Sequence, residues 1–355
     1  MRKRAKRVLR VIIISILAIQ VFAILWATFA YSQNDFIKKW RNIWIETAMS
    51  TASHHWLATS FLPEDVIAEA VSERVGATAL TDEVEEEIGS HEMSMTWFEK
   101  LQRIPVGKED PAGNEIVIND REQEVVIVKV HTDMYDGKMA IIGDPSRVYV
   151  GTCGVGKSRG WNMTEYMSKE DAIIGINASG FFDANGVGTG SNVVGRSRTK
   201  GEDWGNYLSD YNTIGFDTDN RLRVGLQSDW DARNIRDGVQ FNPALIINGK
   251  QNVEGTAGWG LQPRTAIAQR ADGTVFLLVI DGRQPGHSIG ATMEDLVNEF
   301  KKYNVLNAAA VDGGSSSIMG YDGKLITKCS SPQDGGRYLP NAFLVTKLQS
   351  DEIEE

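Results

Sequence analysis

Cysteine is nearly absent from this chain, with Cys153 and Cys329 the only two in 355 residues. They stand far apart and in no Cys-x-x-Cys pair, and the five histidines gather no Cys/His cluster, so the sequence offers no structural zinc site. Whether the two thiols pair as a disulfide or stay separate is open at this level, because such a spacing carries no pairing information. Basic residues are scarce once the first ten positions, MRKRAKRVLR, have used six of them; the remaining 31 face 47 acidic residues, a formal charge of −16. Without a basic stripe the chain does not read as a partner of nucleic acid, and an anionic substrate needs a local positive pocket in a negative surface. The glycine-rich Gly186–Gly195 (GVGTGSNVVG) lacks the Lys-Ser/Thr of a phosphate-binding loop and does not match the dinucleotide fingerprint. It reads as a flexible wall or a hairpin, and no cofactor is expected. There is no internal repeat.

Charge is missing altogether from Val11–Tyr31 (VIIISILAIQVFAILWATFAY), 21 residues that as a helix span about 30 Å. The basic flank predicts a cytoplasmic N-terminus and an extracellular remainder, with Lys38, Lys39 and Arg41 opposing that bias by three positives against six. A cleaved signal peptide is the competing reading. Its apolar region would be shorter, and Thr28-Phe29-Ala30 is a poor cleavage site, so an uncleaved anchor in the cell membrane is expected.

Beyond the anchor the chain divides in two. Phe36, Trp40, Ile43, Trp44, Thr47, Ala48 and Thr51 recur at helical spacing, in a Trp-rich stretch close to the anchor. It can lie on the bilayer, pair with another copy or dock on the next domain, and docking is the expectation; no metal role is expected for His54 and His55. Glu64–Glu92, with its acidic run Asp82–Glu87, reads as a solvated helix or connector, and 105–124 as loop. From Val125 the texture changes to apolar runs between Gly/Asp/Asn turns: Val125–Val130, Met139–Ile142, Arg147–Val150, Ala172–Ile176, Asn212–Phe216, Leu222–Leu226, Ala244–Ile247, Arg264–Ala268, Thr274–Ile280 and Asn341–Val345. The fold class expected is α+β: a large mixed β-sheet domain with few helices, preceded by an N-terminal transmembrane helix and a helical connector. The boundaries are a basic cytoplasmic segment at 1–10, the anchor at 11–31, a helical and acidic connector at 32–121, the sheet domain at 122–347 and an acidic tail at 348–355.

Val305–Met319 (VLNAAAVDGGSSSIM) carries the most chemistry. A small-residue strand ends in Asp312; Gly313 and Gly314 allow a sharp turn, and Ser315, Ser316 and Ser317 offer donors suited to an anionic or polyhydroxylated ligand. Thr274–Ile280 likewise ends in Asp281, followed by Gly282 and Arg283, and Thr292–Tyr303 between them is a helix with an N-terminal Thr cap. If the two strands are parallel neighbours, both carboxylates lie on one edge of the sheet, where ligands of α/β units bind. Ile174–Phe182 (IGINASGFF) ends a strand at Asn177, a donor for a sugar or phosphate oxygen, followed by aromatics that can stack on a sugar. Arg264, Arg283 and Arg337 stand beside glycine turns or strand ends, and a guanidinium fork matches two phosphate oxygens. His287 is a candidate acid–base group without a visible partner. Plain Asp-Gly turns, core phenylalanines and surface arginines are the competing readings.

Taken in order, GINASGFF, PRTAIA, DGRQPGHSIGATMEDL, AAAVDGGSSSIM and GRYLPNAFLV resemble the phosphodiester glycosidase family, over roughly residues 125–345. Family members commonly read DGGGSS and GINGGFF, where this chain has Ser315 and Ala178-Ser179, small residues in place of small residues. The resemblance implies hydrolysis of a sugar–phosphate diester on its sugar side, with a phosphate-linked glycan or glycolipid as substrate. The catalytic candidates are then Asp312 and Asp281, and the substrate-binding ones Asn177, Arg264, Arg283, Gly313, Gly314, Ser315, Ser316, Arg337 and His287. No metal ligand set is evident. A non-catalytic glycan-binding or exopolysaccharide-assembly protein of the same fold is the alternative, and a Ser315 or Ser316 nucleophile is disfavoured because no GxSxG elbow surrounds them.

Overall fold

The computed structural model describes residues 2–51, 54–77, 96–154, 157–182, 188–226 and 230–349. The acidic run Asp82–Glu87, the start of the glycine-rich Gly186–Gly195 and the tail Asp351–Glu355 lie outside them. Seven α-helices occur among the described residues: α1 (Arg2–Tyr31), α2 (Asp35–Met49), α3 (Trp56–Thr59), α4 (Glu64–Ala77), α5 (Thr96–Gln102), α6 (Met163–Lys169) and α7 (Met293–Lys301). The rest is built on three antiparallel sheets, so the class is α+β, as expected.

The largest sheet has eight strands, in the order Glu115–Asp120, Val125–His131, Asp136–Ile142, Val275–Ile280, Arg264–Arg270, Val305–Val311, Ala244–Ile247 and Lys250–Gln251. Its centre is buried on both faces, which is why Val275–Ile280 (VFLLVI) is a continuous apolar run rather than an alternation. Phe276, Leu278 and Ile280 join the core under α7, whereas Val275, Leu277 and Val279 face the other two sheets. Those sheets have five strands each: one runs Glu202–Gly205, Arg196–Thr199, Ile235–Phe241, Asn212–Asp217, Leu222–Gly225. The other runs Lys324–Leu325, Met319–Tyr321, Ala172–Asn177, Asn341–Thr346, Val148–Thr152. Ile174, Ile176, Phe216, Val239 and Phe343 from these sheets complete that second core.

Thr292 caps α7 as its composition suggests, with Asp295 returning the bond in a capping box, and Met293, Leu296, Val297 and Phe300 are buried beneath it. The strands before and after α7 are not neighbours, however. Arg264–Arg270 lies between them and pairs antiparallel with both, setting Arg264 opposite Ile280 and Thr265 opposite Val311. The expected edge survives this correction. Two strands that leave on one edge must flank an antiparallel strand that enters there, so Asp281, Arg264 and Asp312 start out side by side.

Glu115–Asp120 corrects the loop expected at 105–124: it is the edge strand of the large sheet, paired with Val125–His131. α5 also packs its Phe98 and Leu101 into the main core. Cys153 and Cys329 are both free thiols.

Candidate active site

Asp312 is the first residue past its strand, and its backbone is clamped from both sides. Its N–H donates to the Ala178 carbonyl (3.0 Å), and its carbonyl accepts from Asn177 Nδ2 (2.6 Å). Asn177 Oδ1 accepts from Thr265 Oγ1 (2.8 Å) and the Ile318 N–H (3.2 Å). Fully buried and so engaged, Asn177 ties three strand ends together and fixes the direction of Asp312 rather than reaching a ligand itself.

Beyond Asp312 the chain turns tightly through a 3-10 turn, Gly314–Ser316. The Gly314 N–H donates to the Pro263 carbonyl (2.9 Å), and those of Ser316 and Ser317 close the turn on Gly313 and Gly314. Three of the amides that looked available to an anion are therefore spent internally. Gly314 has a φ of +61°, and a Cβ there would sit 3.1 Å from the Arg283 guanidinium. Only glycine meets both demands.

Three arginines surround this turn in different states. Arg283, itself left-handed at φ +59°, donates from Nε to Gln262 Oε1 (2.8 Å). Desolvation by the surrounding protein lowers its pKa, although the residue as a whole stays exposed, and the Asp312 carboxylate works the other way, so the two charges sit in each other's field. Arg337 donates to Ser315 Oγ (3.3 Å) and stacks over the Phe181 ring at 4.6 Å. Arg264 is 3% exposed and donates to three backbone carbonyls, Ala291 (3.0 Å), Trp259 (2.9 Å) and Gly260 (2.6 Å). Burial first, then the like charge of Arg283, lowers its pKa.

Together these groups wall a cavity of about 590 Å³. Its floor is Asp312–Ser316 with Arg264, Arg283 and Arg337, and Phe181, Phe241 and Trp259 supply aromatic faces. Ser330 also lines it, and its Oγ is buried without a hydrogen bond. Among the described lining residues Asp312 is the one carboxylate.

Asp281 and His287 do not line this cavity. Asp281 accepts from the Lys328 N–H (2.9 Å) on Oδ1 and contacts His287 Nε2 (2.9 Å) through Oδ2; His287 Nδ1 lies 3.5 Å from Asp136. His287, a histidine without a partner in the sequence, thus has two. Burial raises the Asp281 pKa against the pull of His287. For Asp136 burial is outweighed by His131 and Lys129, which hold its carboxyl below the usual range.

The remaining wall comes from more than two hundred residues upstream. Ser50, Thr51 and His54, at and beyond the end of α2, line the same cavity. α2 is docked there by Gln262, which donates to the Thr47 carbonyl (3.0 Å) and to Ser50 Oγ (2.9 Å) while its own oxygen holds Arg283. A Cβ on Gly260 would fall 2.4 Å from the Thr47 nitrogen, so a side chain there would lift the helix away. Docking is what the sequence led us to expect of this helix; its share in the cavity is not written in any local pattern.

Comparison with known proteins bears on the same residues. The sequence model of the phosphodiester glycosidase family matches residues 170–346, which include Asn177, Arg264, Arg283, Asp312 and Arg337. A Bacillus subtilis (strain 168) protein, the SPbeta prophage-derived uncharacterized protein YomE, is 28% identical over 208 residues, 56% of this chain. The chain spans only 31% of that relative's length. Among solved structures, the catalytic domain of zebrafish N-acetylglucosamine-1-phosphodiester alpha-N-acetylglucosaminidase, auto-inhibited by its pro-peptide, superposes with a TM-score of 0.51 at 16% identity. That match covers 63% of this chain and 82% of the zebrafish domain, and at such identity it speaks for the fold. Residues 170–346 of this chain form a domain of the phosphodiester glycosidase family.

Proposed function

We propose that the protein hydrolyses glycosyl-phosphodiester bonds on the sugar side, using Asp312 as its catalytic carboxylate and Arg283 and Arg337 as the phosphate clamp. One observation carries this reading: among the described lining residues a single carboxylate shares a cavity with three guanidinium groups and aromatic faces. Ordinary glycosidases need two carboxyl groups, one of them to protonate a poor leaving group. A phosphomonoester leaves as a stable anion and needs no such acid, so charge stabilisation replaces the second carboxyl. In the step proposed, a water oxygen bonds to the anomeric carbon as the bond from that carbon to the phosphate oxygen breaks. The Asp312 carboxylate stabilises the positive charge developing on the sugar ring or takes the proton from that water, and the phosphomonoester departs within reach of the two arginines. Phe181, Phe241 and Trp259 give the sugar its apolar face. Asn177, Asp281 and His287 position the machinery from behind the wall.

The test is a panel of sugar 1-phosphate diesters presented to the full chain. Release of free sugar and a phosphomonoester is expected, and binding without turnover across the panel would sink the enzyme reading in favour of a glycan-binding protein. Arg283→Ala and Arg337→Ala should each raise KM about 10- to 100-fold, the size of a charged hydrogen bond worth about 1.5–3 kcal/mol. An unchanged KM would remove that arginine from the clamp.

α1 supports a setting for this chemistry. Residues 6–31 form a helix long and apolar enough to cross a membrane, with none of its most apolar stretch buried in the protein. With six basic residues before Val11, we place the N-terminus in the cytoplasm and the Asp312 domain outside, facing surface polysaccharides and glycolipids. Protease added to intact cells should then digest that domain, and complete protection would reverse the orientation.

A further inference from the structure

We propose that the aromatic face of α2 lies in the headgroup layer of the bilayer that α1 crosses, and that it thereby presents the Asp312 cavity to sugar phosphodiesters anchored in that bilayer by a lipid tail. This narrows the substrate class given above and rests on that reading of the site.

Three residues separate α1 from α2, and the joint between them is built rather than loose. The Arg41 side chain, 2% exposed, turns back from α2 and donates to the Ala30 (2.8 Å) and Ser32 (3.1 Å) carbonyls, covering the polar end of α1. Ala30 shares a small core with Ile45 and Ala48 of α2 and with Ala58, Leu62 and Val66 beyond it. The direction of α2 is thus set relative to the helix that crosses the membrane.

On the flank of α2 next to that buried face, Phe36, Trp40 and Trp44 recur every four residues and form one stripe. They are 70%, 42% and 45% exposed. Trp56 and Phe61 extend the exposed aromatic surface at 53% and 50%. The Trp44 indole N–H donates to the Leu57 carbonyl (2.9 Å), and that of Trp26, within α1, to the Phe61 carbonyl (2.6 Å). With these polar handles satisfied by backbone, the rings are left as apolar surface at a cost in water. Phe61 adjoins Phe22 and Trp26 of α1, so this aromatic surface meets the apolar surface of α1, and aromatic rings beside a membrane helix settle at headgroup level. That continuity selects the bilayer over a second copy of the chain.

The far end of α2 reaches the site. Thr47 and Ser50 hold Gln262, Gln262 holds Arg283, and Thr51 and His54 stand in the cavity wall. A helix of 15 residues is about 22 Å long, so one short element joins the bilayer surface to the arginine beside Asp312. A phosphodiester whose lipid tail is in the membrane has its scissile bond in that same zone.

The experiment uses the full chain in vesicles of phosphatidylcholine and phosphatidylglycerol, with two esters of one sugar 1-phosphate, hexadecyl and methyl. Both rings replaced in Trp40→Ser/Trp44→Ser are half-exposed and outside the cavity, and circular dichroism checks that the variant remains folded. Its kcat/KM on the hexadecyl ester should fall about tenfold, while that on the methyl ester stays within about twofold, because only membrane docking is weakened. Tryptophan fluorescence of the unaltered chain should be quenched by lipids brominated near the headgroup, and less so in the variant. Equal losses on both esters, no loss on either, absence of quenching, or cross-links joining two copies through position 40 would each overturn the proposal. If the unaltered chain turns over neither ester, the glycosidase reading fails, and the quenching still decides whether the stripe lies in the membrane.

Discussion

Asp312→Asn should lower kcat about a thousandfold, the middle of the range for a lost acid–base or charge-stabilising group, while the protein melts normally. The substitution keeps the size of the side chain and touches neither backbone bond, to Ala178 and from Asn177, that sets its direction. It removes the negative charge proposed to act at the anomeric carbon, and it removes the counter-charge beside Arg283. Binding of a phosphomonoester product should therefore hold or tighten as turnover collapses. That split between kcat and product affinity is what a structural defect would not give. Asp281→Asn should behave differently: Asp281 is buried behind the wall, and its oxygens orient His287 and the Lys328 N–H. The amide still accepts from Lys328, so turnover should fall less and stability should carry part of the loss. A kcat for Asp312→Asn within tenfold of the unaltered protein would take Asp312 out of the proposed mechanism.

Much of this arrangement was legible because it follows from local chemistry. Apolar runs ending in Asp281 and Asp312 announce buried strands that leave one sheet edge, and Gly313-Gly314 announces a turn. Strand pairing is another matter. That Arg264–Arg270 enters between two strands linked by α7 is a choice among non-local partners, and nothing in either strand names it. Arg196–Thr199 (RSRT) and Glu202–Gly205 (EDWG) were invisible as strands for a different reason. Their pairing is backed by Arg198 against Asp203 (2.6 Å) instead of an alternation of apolar residues. Glu115–Asp120 lay hidden in a stretch of turn-forming residues because an edge strand needs only one good face. In the site, sequence assigned side chains to the ligand by type: an amide for Asn177, a fork for Arg264. The structure turns the Asn177 amide nitrogen and the Arg264 fork to backbone carbonyls, although Arg264 also lines the cavity. A polar residue at a strand end has two employers, ligand and chain, and only the folded arrangement tells them apart. Ser50, Thr51 and His54 carry no motif at all; they join the cavity because α2 docks there.

Arg264→Ala is expected to cost about 3–5 kcal/mol of stability, which for a domain of this size lowers Tm by about 10 °C. The guanidinium is the shared partner of the Ala291, Trp259 and Gly260 carbonyls, which belong to the segments framing the cavity. Removing it strands the Gly260 carbonyl, at about 1–3 kcal/mol, takes one donor each from Ala291, which keeps the Gln262 N–H, and Trp259, which keeps Ser50 Oγ, and leaves a void in the floor. Lysine would restore the charge but not the planar fork that serves several carbonyls at once, so Arg264→Lys should recover only a small part. The carbonyls also lie where α2 docks, since Gly260 touches Thr47 and Trp259 accepts from Ser50 Oγ (3.4 Å). Loss of Arg264 should therefore loosen α2 before the sheets melt, seen as proteolysis near Ser50 at temperatures below the main transition. Thermal unfolding of the full chain in detergent, with and without limited proteolysis, measures both effects. A variant that melts like the unaltered protein but has lost affinity for sugar phosphates would instead place Arg264 in the phosphate clamp.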